Sequence, residues 1–432
     1  MKDIFLIKGQ QGKRRLNGSL PVYGAKNAAL PALASAFLFK DGVNFENVPY
    51  IQDIEHSVKI IQALGGQAER QAARRWRVDV AAVNTTALDM ERSKHMRASI
   101  VFTGPLLARY GQVSFPHPGG CVLGERPVDM FLSAFEKMGA AVRVEGGIYH
   151  LKVKGRKLRE AEIFLRVPSH TVTETVMMAA VLAEGTTVIK NAALEPEIKN
   201  VADFLVSCGA KIKGAGTPVI TVKGGSLLTC GKKVFLAIPD RIEAGSFLIL
   251  AALAGEDLTI ANCEPSHIES LIHSLERAGL SMRIGKNSIT VRVSKDSKNS
   301  DFHAVNIKTH EYPGFPTDLQ APLAVFLTQV TGESNVFETI FDGRLNYAAD
   351  LIKMGAKINV WNTHTMTVKG PSMLKGRELE GPDIRAGLAY ILAAIVARGR
   401  SVINNVHYID RGYERIEERL KAVGADIERI SN

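Results

Sequence analysis

Apolar residues fall into two alternating kinds of run along the chain. One kind is amphipathic: Ile54, Val58, Ile61 and Leu64 recur at the spacing of one helical face. So do Val128, Phe131, Phe135 and Met138, and again Tyr413, Ile416, Leu420 and Val423. The other kind is apolar nearly all round, over 28–39, 171–183, 244–254, 321–330 and 385–397, which predicts helices buried on every side. Short β-rich runs at 43–45, 187–189, 258–260 and 401–403 follow the apolar helices. Alternating pairs such as 141–144 with 149–153 follow the amphipathic ones and predict hairpins.

The order is repeated. A glycine closes each amphipathic run, at Gly65, Gly139, Gly209, Gly279, Gly355 and Gly424, and fits a left-handed helix cap. A second glycine leads each unit, at Gly42, Gly111, Gly185, Gly255, Gly332 and Gly399. Two phased markers occurring six times are the mark of internal duplication. The sequence therefore predicts an α/β protein of two domains, each an inside-out α/β barrel of three βαβαββ repeats, with helices buried and sheets outward. The first lobe is expected at 21–239, with a Gly/Pro-rich loop at about 111–127. The second is expected at 1–20 plus 240–432, completed by the N-terminal strand at 4–8, so that the chain crosses twice. Functional segments are expected in the cleft between lobes.

Composition narrows the class. With 432 residues, 46% hydrophobic and 23% charged, the chain is an ordinary globular protein, and 38 glycines with 17 prolines exclude collagen-like repeats. Apolar runs stop well short of the roughly 18 residues a spanning helix needs. Asp3 and Lys8 interrupt the N-terminal apolar stretch, so no signal peptide and a cytoplasmic location are expected. Cys121, Cys208, Cys230 and Cys263 have no metal-ligand or disulfide-framework spacing, and no metal or cofactor is expected. The net charge of +10 suits nucleic acid, an anionic surface or small phosphorylated ligands. Its clusters, Lys13-Arg14-Arg15 and Arg74-Arg75 with Arg77, lack interleaved aromatics, which disfavours nucleic acid.

Three segments suit chemistry. Gly24 to Pro31 places Lys26 and Asn27 ahead of a buried helix, where a lysine opposes the helix dipole unless an anion joins it. The loop Tyr110 to Pro127 carries Cys121 among glycines and prolines, with Arg126 close enough to lower a thiol pKa. The alternative for each cysteine is a small buried hydrophobe, which is the reading for Cys208, Cys230 and Cys263. Asp318, in Pro313 to Pro322, is either a helix cap or a general base. Arg97, Arg241, Arg344, Arg385 and Arg411 stand at repeat junctions and suit capture of phosphate or carboxylate. The residues alone indicate an enzyme for anionic small molecules and name no reaction.

The stretches GAKNAALP at Gly24, PGGCVLGERPVD at Pro118, LAEGTT at Leu182, EPEI at Glu195, PDRIEAG at Pro239, FPTDLQA at Phe315 and HYIDRGYERIEERL at His407 carry a resemblance. Over essentially the whole chain the sequence is similar to the enolpyruvyl transferase family, in the branch acting on UDP-N-acetylglucosamine at the first committed step of peptidoglycan synthesis. The resemblance implies the inside-out barrel pair, phosphoenolpyruvate and UDP-N-acetylglucosamine as small-molecule partners, a monomer, and no cofactor, nucleic acid or membrane insertion. It implies that Lys26, Arg126 and Arg411 hold the phosphoenolpyruvate anion, with Arg344 and Arg385 on the second lobe. It implies sugar contacts from Asn27 and Asp318, the latter as proton acceptor, and a supporting role for Arg97. Cys121 matches the mobile-loop cysteine that delivers a proton or releases product and is alkylated by fosfomycin. Pro127, Asp129, Ser169 and Ile340 complete the implied substrate-binding set. The family's usual Ser-Val-Gly-Ala-Thr stretch reads Ser169-His170-Thr171-Val172-Thr173 here. A same-fold transferase for another alcohol and a silent nucleotide-sugar binder remain alternatives, the second disfavoured by Cys121 and Asp318.

Overall fold

The computed structural model describes residues 3–119 and 128–431. Among them the chain forms two compact units, a terminal unit of 3–23 with 239–431 and an inserted unit of 24–119 with 128–238. Each has its own apolar core. Phe37, Phe45, Phe102 and Phe235 lie in the core of the inserted unit, and Phe5, Phe247, Tyr390 and Tyr413 in that of the terminal unit.

Six sheets share one plan. In the inserted unit, Glu162–Phe164 runs parallel to Thr186–Lys190, which pairs antiparallel with Val219–Lys223, whose hairpin partner Lys211–Lys213 is the edge. The order recurs with Val234–Leu236, Val43–Glu46, Arg75–Asp79 and Gln67–Ala72. It recurs in the terminal unit with Leu16–Pro21, Gly255–Ala261, Ser288–Arg292 and Met282–Ile284. Ile307–Lys308, Gly332–Phe337, Thr365–Gly370 and Lys357–Val360 repeat it once more. In the sheet of Gln112–Pro116, Ile148–Val153 and Ala140–Glu145, the parallel strand shrinks to one bridge between Ala87 and Ser114. In the last sheet, where Glu378–Glu380 is the parallel edge, Ile4–Lys8 fills the inner antiparallel place between Arg400–Asn404 and Asp426–Ile430.

Local chemistry explains the recurrence. The six glycines that close the amphipathic runs all have positive φ, between 92° and 108°, which a side chain adopts only at a cost. A signal not read from the sequence joins them: Asn47, Asn191, Asn262 and Asn405 each take the left-handed conformation after a strand. Asn47 donates its amide to Ala237 O and Asn191 to Leu165 O, both at 2.8 Å, tying the leading strand to its parallel neighbour.

Helices Lys26–Ser35, His170–Ala180, Arg241–Ala254, Thr317–Leu327 and Ile384–Val396 are buried along almost their whole length, matching the five apolar runs. A sixth, Thr103–Tyr110 after the 3-10 turn Arg97–Phe102, escapes the apolar pattern because Arg97, Thr103 and Arg109 interrupt it. Buried Thr103 turns its hydroxyl onto Ile100 O at 2.6 Å, so the polar atom is satisfied within its own turn. Helices approach closely where glycine permits it. A Cβ on Gly104 would stand 2.3 Å from Thr175 O, and one on Gly245 would stand 2.5 Å from Leu319. One expectation changes: Tyr413 does not share a helix with Ile416 and Leu420, because Arg415 turns left-handed and starts a new helix, Ile416–Ala422. No helix among the described residues is long and apolar enough to cross a membrane.

Candidate active site

In the terminal unit, three core helices begin at the same polar cluster. Pro316 sets an extended N-cap, so Asp318 lies in the first turn of Thr317–Leu327. It does not cap that helix, which disposes of the simple structural role. Its Oδ1 accepts from Arg344 Nη2 at 2.7 Å, and its Oδ2 accepts from Arg385 Nε and Nη2, each at 3.0 Å. Arg385 lies in the first turn of Ile384–Val396, whose N-cap Asp383 accepts from the Arg385 and Ala386 amides at 2.7 and 3.0 Å. The other Arg385 nitrogen, Nη1, donates to Tyr413 Oη at 3.0 Å, and that phenol meets Ser246 Oγ at 3.3 Å. Arg241 opens the Arg241–Ala254 helix behind its cap Asp240, with its guanidinium 5.4 Å from the Tyr312 ring centre.

Cations in a first helical turn oppose the helix dipole. Here carboxylates hold them in place: Asp383 and Asp240 as caps, Asp318 as the shared counter-ion. Burial by itself raises the Asp318 pKa, but Arg385, then Arg344, then Arg241 outweigh it and hold the carboxyl far below the usual carboxylate range. Burial lowers the Arg385 pKa, and Tyr413, Asp318 and Asp240 more than reverse that, so this guanidinium is permanently charged. The cluster is a preorganised set of fork-shaped donors, suited to planar carboxylate or to phosphate.

The segment carrying Ile340 and Arg344 is anchored by Glu338, which is fully buried. Glu338 accepts from Ile340 N at 2.8 Å, Phe341 N at 3.2 Å and Thr317 Oγ1 at 2.8 Å. Arg344 lies 5.3 Å from the Phe341 ring centre. Sequence reading missed Glu338, Asp240, Asp383 and Tyr413; an acidic residue just before an arginine-led apolar helix is the signal that finds both caps. Arg411 closes the short His407–Asp410 helix and is half-buried.

In the inserted unit, Lys26 begins the Lys26–Ser35 helix and pairs with Asp53 Oδ2 at 2.6 Å, so the protein itself supplies the anion that this position calls for. Half-buried Asn27 follows it in the same first turn. Arg97 donates Nη1 to Pro118 O at 3.4 Å. Asp129 starts a helix and pairs with Arg166 at 2.6 Å across exposed surface. Ser169 caps His170–Ala180, accepting from Val172 N at 3.4 Å. Cys121, Arg126 and Pro127 lie outside the described residues. Cys208, Cys230 and Cys263 are buried free thiols.

A buried acidic group adjoins Ser169. Glu174 stands 3.4 Å from His170 Nδ1, and Glu174 Oε1, Glu195 Oε2 and His170 Nε2 find no hydrogen-bond partner among the described residues. Burial raises the Glu174 pKa well above the ordinary value, and Glu197 and Glu195 add to the rise.

Known proteins resemble this chain in sequence and in fold. Residues 10–420 match the family described as EPSP synthase (3-phosphoshikimate 1-carboxyvinyltransferase). The chain is 40% identical to a UDP-N-acetylglucosamine 1-carboxyvinyltransferase of Klebsiella pneumoniae, over 97% of this chain and 98% of that one. A protein of the same name from Yersinia pestis matches with the same identity and coverage. Among solved structures, the enolpyruvyl transferase NikO from Streptomyces tendae shares the fold with a TM-score of 0.88 at 23% identity, over 100% of this chain and 99% of that one. EPSP synthase from Acinetobacter baumannii shares it with a TM-score of 0.72 at 17% identity, over the whole of both chains.

Proposed function

The chain belongs to the EPSP synthase family of enolpyruvyl transferases, among the UDP-N-acetylglucosamine 1-carboxyvinyltransferases, and from that membership we propose that it transfers the enolpyruvyl group of phosphoenolpyruvate to the 3′-hydroxyl of UDP-N-acetylglucosamine. The hydroxyl oxygen bonds to C2 as a proton is added at C3, and the hydroxyl proton passes to Asp318. Loss of a C3 proton and breakage of the C2–O bond to phosphate then restore the double bond and release phosphate. The observation that carries the reading is the convergence of Arg344 and Arg385 on Asp318. It puts a proton acceptor among donors shaped for the anions such a reaction crowds together.

Asp318 held by two arginines is ionised but weakly basic. When substrate anions draw the guanidinium donors, its ion pairs weaken and its proton affinity rises toward what a general base requires. In this reading Lys26, Arg126 and Arg411 bind the phosphoenolpyruvate anion, Asn27 contacts the sugar, and Cys121 supplies the proton at C3. Arg97, Pro127, Asp129, Ser169 and Ile340 complete substrate binding. Each compact unit is read as a pseudo-threefold, inside-out α/β barrel, the lobes divided at 21–239 and 1–20 plus 240–432. The protein acts as a cytoplasmic monomer at the first committed step of peptidoglycan synthesis. The test is phosphate release from phosphoenolpyruvate by the purified protein with and without UDP-N-acetylglucosamine. Release only with both, with an acceptor heavier by the enolpyruvyl group, supports the reading; release without acceptor, or none with both, overturns it.

A further inference from the structure

Glu338 stands where two separate elements of the Asp318 cluster meet. Its carboxylate holds Thr317, the residue before Asp318, through the hydroxyl at 2.8 Å. It holds the segment leading to Arg344 through the amides of Ile340 and Phe341 at 2.8 and 3.2 Å. The same segment is pinned on its other side: Thr339 N donates to Thr309 Oγ1 at 2.8 Å and Thr339 Oγ1 to Thr309 O at 2.6 Å. Beneath it, the Glu338 carbonyl meets His364 Nδ1 at 2.8 Å, and His364 Nε2 meets Asp342 at 2.6 Å. A fully buried carboxylate with three donors and no guanidinium of its own is unusual. Its bonds all go to the neighbours of the ion pair and none to the pair itself.

We propose that Glu338 is a positioning residue that sets the reach of Arg344 to Asp318, and through it the basicity of Asp318 in the transfer reaction. The proposal rests on the enolpyruvyl-transfer reading for its kinetics, though not for its geometry. Thr317 and Arg344 lie on separate elements, the start of the Thr317–Leu327 helix and the turn after Gly332–Phe337. Only Glu338 among the described side chains is hydrogen-bonded to the residue before Asp318 and to the turn bearing Arg344. Facing Asp318 are Arg344 from that turn, Arg385 from Ile384–Val396 and Arg241 from Arg241–Ala254. Behind these stand Tyr413, Asp240 and Asp383, and beside Glu338 stand Tyr347, His364 and Asp342. Releasing the turn weakens one guanidinium of this set and leaves the others, so Asp318 becomes more basic and worse placed together.

The experiment compares Glu338→Ala, Glu338→Gln and Thr317→Val with the unaltered protein. Glutamine can still accept both amides on one oxygen and meet the threonine hydroxyl with its NH2, so it keeps the tether without the charge. The Ala variant is expected to lose about 10- to 100-fold in kcat, as small misplacements do. The acid limb of kcat, which reports the base in the substrate complex, should move up in pH as Arg344 loosens. The Gln variant should stay within about threefold with the limb in place, and Thr317→Val should shift it in the Ala direction. A carboxyl NMR titration of Asp318 in the same variants reads the shift without any turnover. If the Ala variant loses activity only in proportion to its unfolded fraction and neither limb nor titration moves, Glu338 is structural and the proposal falls. A moved titration with no acceptor-dependent phosphate release by the unaltered protein sinks the transfer reading and leaves the positioning role standing.

Discussion

Asp318 and Glu174 are both carboxyls beside the start of a core helix, yet their surroundings push them in opposite directions. Burial favours the proton on each. Around Asp318, Arg385 and Arg344 overcome it; around Glu174, the nearby Glu197 and Glu195 reinforce it. The first cluster is a charge-matched network whose oxygens are satisfied. The second leaves Glu174 Oε1 and Glu195 Oε2 without partners among the described residues. What decides the ionisation state is therefore the sign of the neighbours: burial favours the proton on both, and only around Asp318 do cations reverse it. The terminal unit holds a fixed anion among cations, and the inserted unit holds a carboxyl whose surroundings favour the proton.

The largest test of that contrast is Asp318→Asn. Removing a general base costs about 10²- to 10⁴-fold in turnover, read by phosphate release. The amide also leaves Arg344 and Arg385 facing one another without a counter-ion. Breaking a buried pair costs about 3–5 kcal/mol, and less here because the Asp318 side chain keeps 26% of its accessibility. The pH signature is specific. The folded Asp318 pKa is depressed, so its stabilisation is present above the unfolded value of about 3.9 and lost as pH falls through the folded pKa. The stability gap between the two proteins in urea should therefore narrow only on acidification below about pH 4. A gap constant to lower pH contradicts the ion-pair account.

Glu174→Gln tests the opposite pole and should be mild. An amide is close in shape to the protonated carboxyl that these surroundings favour, so turnover should stay within about threefold. Stability carries the signal. The folded Glu174 pKa is raised, so its contribution is full below the unfolded value of about 4.3 and is lost as pH climbs through the folded pKa. Across that window the unaltered protein loses up to about 1.4 kcal/mol per pH unit from this group, and the Gln variant should lack that slope. Equal slopes in urea titrations above about pH 4.3 mean that the folded Glu174 pKa is not raised.

The two clusters were unequally legible in the sequence. The repeat and the five apolar helices were legible because glycine turns and all-round apolar runs are local patterns, and Asp318, Arg344, Arg385 and Arg241 were each singled out as chemically able. That these four share one cluster is a tertiary fact: residues 241, 318, 344 and 385 meet only because three core helices start at one place. Asp240 and Asp383 are legible as caps, each close before an arginine that opens an apolar helix. Glu174 was hidden more deeply. In a helix buried along its length, a lone glutamate reads as an exposed face residue, and nothing local reveals that Glu195 and Glu197 pack toward it. Arg415 shows the reverse limit, since its left-handed backbone splits what the periodicity joins.

The smallest effect concerns how the two clusters' helices are started. Asp383 caps Ile384–Val396 with two charge-assisted bonds at 2.7 and 3.0 Å, whereas Ser169 caps His170–Ala180 with one neutral bond at 3.4 Å. A cap substituted by alanine costs about 0.5–2 kcal/mol, and bonds to ionised acceptors sit at the strong end. Ser169→Ala should then cost at most about 0.5 kcal/mol, while Asp383→Ala should cost about 1–2 kcal/mol and lower the charge balance around Arg385. The comparison is read as the difference in urea midpoints at constant slope. If Ser169→Ala proves as costly as Asp383→Ala, the hydroxyl carries more of the helix start than its length implies. The weak cap would then no longer separate the inserted unit's acid cluster from the arginine cluster of the terminal unit.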